Sequence, residues 1–180
     1  MLEGQLPGHL VLCVRTDCAD VARRAHRLID QFPDVALHIL DHESGEPATL
    51  QFLRTPRPDV RDDSLVARID CCTTDLDVVS ALAVRRFALT ALEPDYLAAI
   101  VKTFVETSAI GLAVPAALPR TALDRAGDDT LVSRLAARLS LAEDTFAETF
   151  FFPQPICFLR GNLYNALTQR YAQASPDLEQ

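Results

Sequence analysis

The chain has 180 residues, of which 49% are hydrophobic and 23% charged, and its formal net charge is −8. That length suits one domain with a core of its own, and the composition excludes a disordered chain. The negative charge excludes wholesale nucleic-acid binding, which needs a positive field to displace counterions.

Lys102 is the only lysine, which removes nearly every Schiff-base or phosphate-lysine mechanism. The first residues lack a basic region and a small-residue cleavage site, and no run approaches the roughly 20 apolar residues of a membrane span. The expectation is a cytoplasmic protein without membrane attachment. Its five cysteines are then expected as reduced thiols rather than a disulfide framework.

Residues 9–15 are apolar on both faces, with Leu10, Leu12 and Val14 on one and Val11 and Cys13 on the other. That pattern predicts a central strand. Thr16 and Asp17 can cap a helix beginning at Cys18, whose stripe is Val21, Ala25, Leu28, Ile29 and Phe32. Pro33-Asp34 ends it, and 35–41 reads as a second strand, completing a parallel β-α-β unit. Alternation predicts a third strand over 48–54, with Leu50 and Phe52 opposed to Thr49 and Gln51. A Pro/Arg/Asp loop follows over 54–63. Strand 64–72 sets Leu65, Ala67, Ile69 and Cys71 against Val66, Arg68, Asp70 and Cys72. A helix over about 75–84, capped by Thr74 or Asp75, and a further strand over 85–91 come next.

The second half reads as helical. Pro94 opens a helix with the stripe Leu97, Ile100, Val101, Phe104 and Val105. Asp129 can cap a helix over 130–139, and Ser140 to Glu143 forms a capping box for the next. Residues 150–158 are aromatic and broken by Pro153 and Pro155, and Gly161-Asn162 opens a last helix.

The one-sided strands point to an α+β fold: a two-layer, ferredoxin-like α/β sandwich with a C-terminal helical extension. The chain is expected to form a single domain over 1–180, with a sheet-containing half at about 9–92 and a helical half at about 93–173. A thioredoxin-like N-terminal half followed by helices is the alternative. Residues 9–41, a strand, then Cys18 at a helix start, then a strand, are similar in local shape to a glutaredoxin-type half-domain. Val21 stands where a dithiol motif would place its second cysteine.

Two functional expectations follow. The leading one is a non-catalytic ligand-binding or accessory protein, holding a protein partner or a small polar ligand, and forming homo-oligomers. The polar sheet face, Arg68, Asp70 and Gln51, would hold the ligand, and the aromatic segment, Phe151, Phe152 and Phe158, would meet a partner. The alternative is a thiol-dependent oxidoreductase or transferase, with Cys18 as nucleophile at a helix start and Arg15 favouring its thiolate. No cofactor and no metal are expected. Cys13 and Cys18 are five apart and Cys71 and Cys72 adjacent, which matches no C-x2-C pair. His38 and His42 would lie roughly 13 Å apart along a strand, too far for one metal. Nucleotide-loop, dinucleotide-loop, zinc-protease and serine-hydrolase motifs are all missing from the sequence.

Overall fold

The computed structural model describes residues 9–44, 48–54, 57–113 and 156–174. Its elements in chain order are β1 (Leu10–Thr16), α1 (Ala19–Gln31), β2 (Ala36–Leu40), α2 (Ala48–Arg54), β3 (Leu65–Cys71), α3 (Val78–Ala91), α4 (Pro94–Glu106), β4 (Leu112–Ala113), β5 (Ile156–Arg160) and α5 (Gly161–Ala174). The strands form one mixed five-stranded sheet in the order β2-β1-β3-β5-β4. The expected α/β sandwich with a helical C-terminal extension is therefore present.

β1 is the central strand that its two apolar faces imply. It pairs in parallel with β2, Cys13 opposite His38, and with β3, Leu12 opposite Ala67 and Thr16 opposite Cys71. β5 runs antiparallel to β3, with Arg68 opposite Cys157. From β1 the chain moves through α1 to β2 at the sheet edge. It then returns through α2, past β1, to β3. Right-handed crossovers wound in opposite directions place their helices on opposite faces, and α1 and α2 are on opposite faces.

The sheet is thus covered on both sides, where alternation alone suggested one. Leu10, Leu12, Val14, Leu65, Ala67, Ile69, Ile156 and Phe158 pack against Val21, Ala25 and Leu28 of α1, Val84 and Ala88 of α3, and Leu97, Val101 and Phe104 of α4. Val11, Cys13, Val66, Cys157 and Leu159 pack against Phe52 and Leu53 of α2 and Tyr164 and Tyr171 of α5. Arg68 of β3 lies beneath that second helical layer, against Phe52.

Several local expectations change. Residues 48–54 form α2, not a strand, and 85–91 belong to α3, where Val84, Ala88 and Ala91 are buried at helical spacing. α3 is capped by Asp77 rather than Thr74 or Asp75. Its carboxylate accepts the Val79 and Ser80 backbone N–H groups, both at 3.1 Å. In the loop before β3, Arg57 and Val60 are buried. The helices expected within 130–150 lie outside the described residues.

Two contacts secure β5. A Cβ on Gly161 would stand 1.8 Å from the Arg61 carbonyl oxygen, so the β5–α5 turn requires a residue without one. Arg160 turns back to close the carboxyl end of α4, its guanidinium donating to the carbonyls of Phe104 and, at 2.9 Å, Thr107. Its Nε donates to the Ile110 carbonyl at 2.6 Å. Among the described residues no helix is long and apolar enough to cross a membrane.

Candidate functional site

Two places bring chemistry-bearing side chains together. The first is a cleft of about 410 Å³ at the sheet edge, between β2 and α2. Its lining includes His38, Asp41, Ser44, Gln51, Arg54 and Arg57, with Leu37 and Leu40. The volume falls in the range of small-molecule sites.

The cleft is built by local bonds. The Gln51 side-chain amide donates to the Asp41 carbonyl and to Ser44 Oγ, both at 2.7 Å, tying α2 to the end of β2. His38 Nε2 is 2.8 Å from Asp59 Oδ2. Asp41, the acidic residue of the lining, accepts the Glu43 backbone N–H at 2.8 Å. Arg57 is 5% exposed and reaches inward from the cleft floor. Its Nη1 donates to the Phe52 carbonyl at 2.9 Å and to the Tyr164 hydroxyl. Its guanidinium lies 5.6 Å from the Phe52 ring centre and 5.8 Å from that of Tyr164. Burial pushes the Tyr164 phenol up to about 12, against the opposing pull of Arg57.

Arg68 sits deeper on the same face, only 3% exposed, with its guanidinium 5.9 Å from the Phe52 ring centre. It is not on an open ligand surface, because α2 and α5 cover it. Asp70 is half-buried and pairs with Arg15 at 3.6 Å. Of the three residues expected on a polar face, Gln51 lines the cleft, Arg68 lies beneath it and Asp70 faces Arg15.

The second place is the carboxyl end of β1 and β3. Asp17 bridges the two loops that follow them. Its carboxylate accepts the backbone N–H groups of Thr73 at 2.7 Å and Thr74 at 2.9 Å. It also accepts the hydroxyls of Thr74 at 2.6 Å and Thr73 at 3.1 Å, and the Cys18 thiol at 3.2 Å. Partial burial works to raise the Asp17 carboxyl, but these donors outweigh it and hold it at about 2.

Cys18 is the N-cap of α1, half-exposed, and makes no side-chain capping bond. Its backbone N–H donates to Thr16 Oγ1 at 2.9 Å. Its sulfur lies 3.9 Å from that of Cys71 and 3.5 Å from Thr73 Oγ1. Arg15 is engaged elsewhere, with Asp70 and, at 3.3 Å, the Asp41 carbonyl. The cysteines divide between the sheet faces. Cys71 is in the α1 layer, and Cys13 and Cys157 are in the α2 layer. Burial pushes the Cys13 thiol up to about 12. Burial, then the Asp70 charge, does the same to Cys72. Among the described residues no group of three or more metal-ligating side chains converges.

Phe158 is fully buried in β5, its ring centre 6.1 Å from that of Tyr96, so it is core and not a docking residue. Phe151 and Phe152 lie outside the described residues. Arg54 and Arg57 carried no motif that marks them. Comparison with protein-family models, curated proteins and solved structures finds no match for this chain.

Proposed function

We propose that this protein binds a small anionic ligand, of the carboxylate or phosphate class, in the cleft between β2 and α2, without catalysing a reaction on it. The observation that carries the reading is the pairing of Arg54 and Arg57 in a cleft of about 410 Å³, within a chain of net charge −8. Arginine presents planar, forked donors suited to carboxylate and phosphate oxygens. Gln51 and Ser44 add neutral polar groups, and Leu37 and Leu40 supply apolar wall. The same reading places the protein in the cytoplasm and away from nucleic acid. It includes self-association, which the exposed apolar side chains of Val78, Val79 and Leu82 on α3 support. Sedimentation velocity giving only monomer at micromolar concentration would remove that part.

The binding test is thermal unfolding in inorganic phosphate and in citrate, each against sodium chloride of equal ionic strength. A ligand at a hundred times its Kd stabilises by about 2.7 kcal/mol, so a saturating rise in Tm is expected from at least one anion. Arg54→Glu should abolish the rise and leave the unliganded unfolding free energy within about 0.5 kcal/mol of wild type, because Arg54 is exposed. A flat response to both anions would end the reading.

Thiol-dependent chemistry at Cys18 is the second reading, supported by its half-exposed position at the start of α1. Fast iodoacetamide labelling of Cys18 alone near neutral pH would favour it over the first.

A further inference from the structure

The residues at the carboxyl ends of β1 and β3 carry an inference independent of the cleft. We propose that Cys18 and Cys71 are a peroxide-responsive thiol pair that closes to a reversible intramolecular disulfide.

The geometry comes from strand register. Thr16, the last residue of β1, is directly opposite Cys71, the last residue of β3. The chain then turns into α1, and Cys18 swings back over the end of β3. Their sulfurs, 53 residues apart in sequence, are 3.9 Å apart in space. A disulfide has its sulfurs about 2.05 Å apart, so closure needs about 2 Å of approach. Cys18 sits on a turn rather than within a strand, and its sulfur is held by hydrogen bonds to Asp17 and Thr73. Rotation about its χ1 can exchange those bonds for the Cys71 sulfur.

The two thiols differ in access. Cys18 is half-exposed, whereas Cys71 is buried in the layer between the sheet and α1. Cys18 is therefore the sulfur that a solvent oxidant meets. Its thiolate attacks one peroxide oxygen and the O–O bond breaks. The proton lost by Cys18 leaves with the departing hydroxide as water, and Cys18 becomes a sulfenic acid. The Cys71 sulfur then attacks the Cys18 sulfur. The S–O bond breaks, the S–S bond forms, and the hydroxyl leaves with the Cys71 proton as a second water. Two thiols are oxidised and one peroxide is reduced to two waters. Burial pushes the Cys71 thiol up, so the second step is the slower one. A small dithiol reverses the bond by exchange.

The neighbouring thiols cannot substitute easily. Cys13 and Cys157 lie on the other face of the sheet, and Cys72 points away beside Asp70.

The test treats the full chain with one equivalent of hydrogen peroxide, blocks remaining thiols under denaturing conditions and maps the peptides by mass spectrometry. The expected product is a monomer that has lost two of its five thiols, with Cys18 joined to Cys71, and that dithiothreitol returns to the starting mass. Cys71→Ala should stop at the first step, giving one dimedone-trapped sulfenic acid on Cys18. Cys18→Ser should lose no thiol on the same timescale. If either variant fails to fold, the wild-type peptide map decides alone. A linkage between any other pair, a disulfide-joined dimer, or wild-type Cys18 ending as sulfinic acid without the crosslink would overturn the proposal.

Discussion

The two faces of the sheet solve the same burial problem with different chemistry. Against α1, α3 and α4 the strands present apolar side chains and Cys71, with polar side chains only at strand ends, Thr16 of β1 and Arg160 of β5. Against α2 and α5 they present Arg68 and two cysteines besides Val11, Val66 and Leu159. The helices on that side answer with Phe52, Tyr164 and the buried Arg57 just beyond α2. An apolar face needs only volume and shape to be filled. A polar buried face also needs each donor and charge matched, which restricts what can lie there. The cleft opens at the edge of the second face, where Arg57 passes from the interior to the lining. The cleft thus opens on the face whose core carries buried arginine side chains.

The largest expected effect tests the first half of that comparison. Phe158 is fully buried between β3 and α4 and packs against Tyr96. Phe158→Ala should lower unfolding free energy by about 3–5 kcal/mol in chemical denaturation, with phosphate response retained in the fraction that folds. A loss below about 1 kcal/mol would mean that this face collapses around the gap, and that it is less tightly packed than its burial suggests.

Tyr164→Phe tests the second half. The substitution keeps the ring against Phe52, 5.0 Å between centres, and removes only the hydroxyl that meets Arg57 and donates to the Phe52 carbonyl at 3.2 Å. Hydrogen bonds to charged groups contribute about 1.5–3 kcal/mol, and that is the expected loss. A neutral outcome would show that Arg57 finds another acceptor without cost, and the contrast between the faces would weaken accordingly.

How far the sequence reveals this division depends on how local each signal is. The two apolar faces of residues 10–14 announce a central strand, and the stripe Val21, Ala25, Leu28 announces α1; both hold. Both signals are complete within a short stretch of chain. The segment 48–54 is only seven residues long, and Phe52 fits a strand period as well as a helix face, so α2 is mistaken for a strand. Arg68 then reads as exposed, because nothing in its own strand shows that α2 and α5 lie over it. Gln51 does line the cleft, but not beside the residues that alternation groups with it. Its neighbours Asp41 and Ser44 are fixed by how α2 returns to β2, a tertiary fact. The Cys18–Cys71 approach is hidden for the same reason, since it depends on the register of strands 55 residues apart at Thr16 and Cys71.

The smallest expected effect lies at the seam between the carboxyl ends of β1 and β3, and it depends on pH. Asp17 joins the turn after β1 to the loop after β3 through the Thr73 and Thr74 donors. Asp17→Asn keeps one acceptor oxygen and removes the charge. The site is partly exposed, so the cost at neutral pH should be on the order of 1 kcal/mol. The folded protein holds this carboxyl at about 2, below its ordinary 3.8. A carboxyl depressed by folding stabilises the native state in its ionised form. That contribution is fully present above about 3.8 and is lost as pH falls through about 2. The difference in unfolding free energy between wild type and Asp17→Asn should therefore be constant from pH 7 to about pH 5, then shrink toward zero at about pH 2. Urea denaturation of both proteins across that range reads it directly. A difference that persists unchanged at pH 2 would mean that the seam is held by the shape of the side chain and not by its charge. The strand ends would then be joined by the same kind of neutral packing that holds the α1 face together.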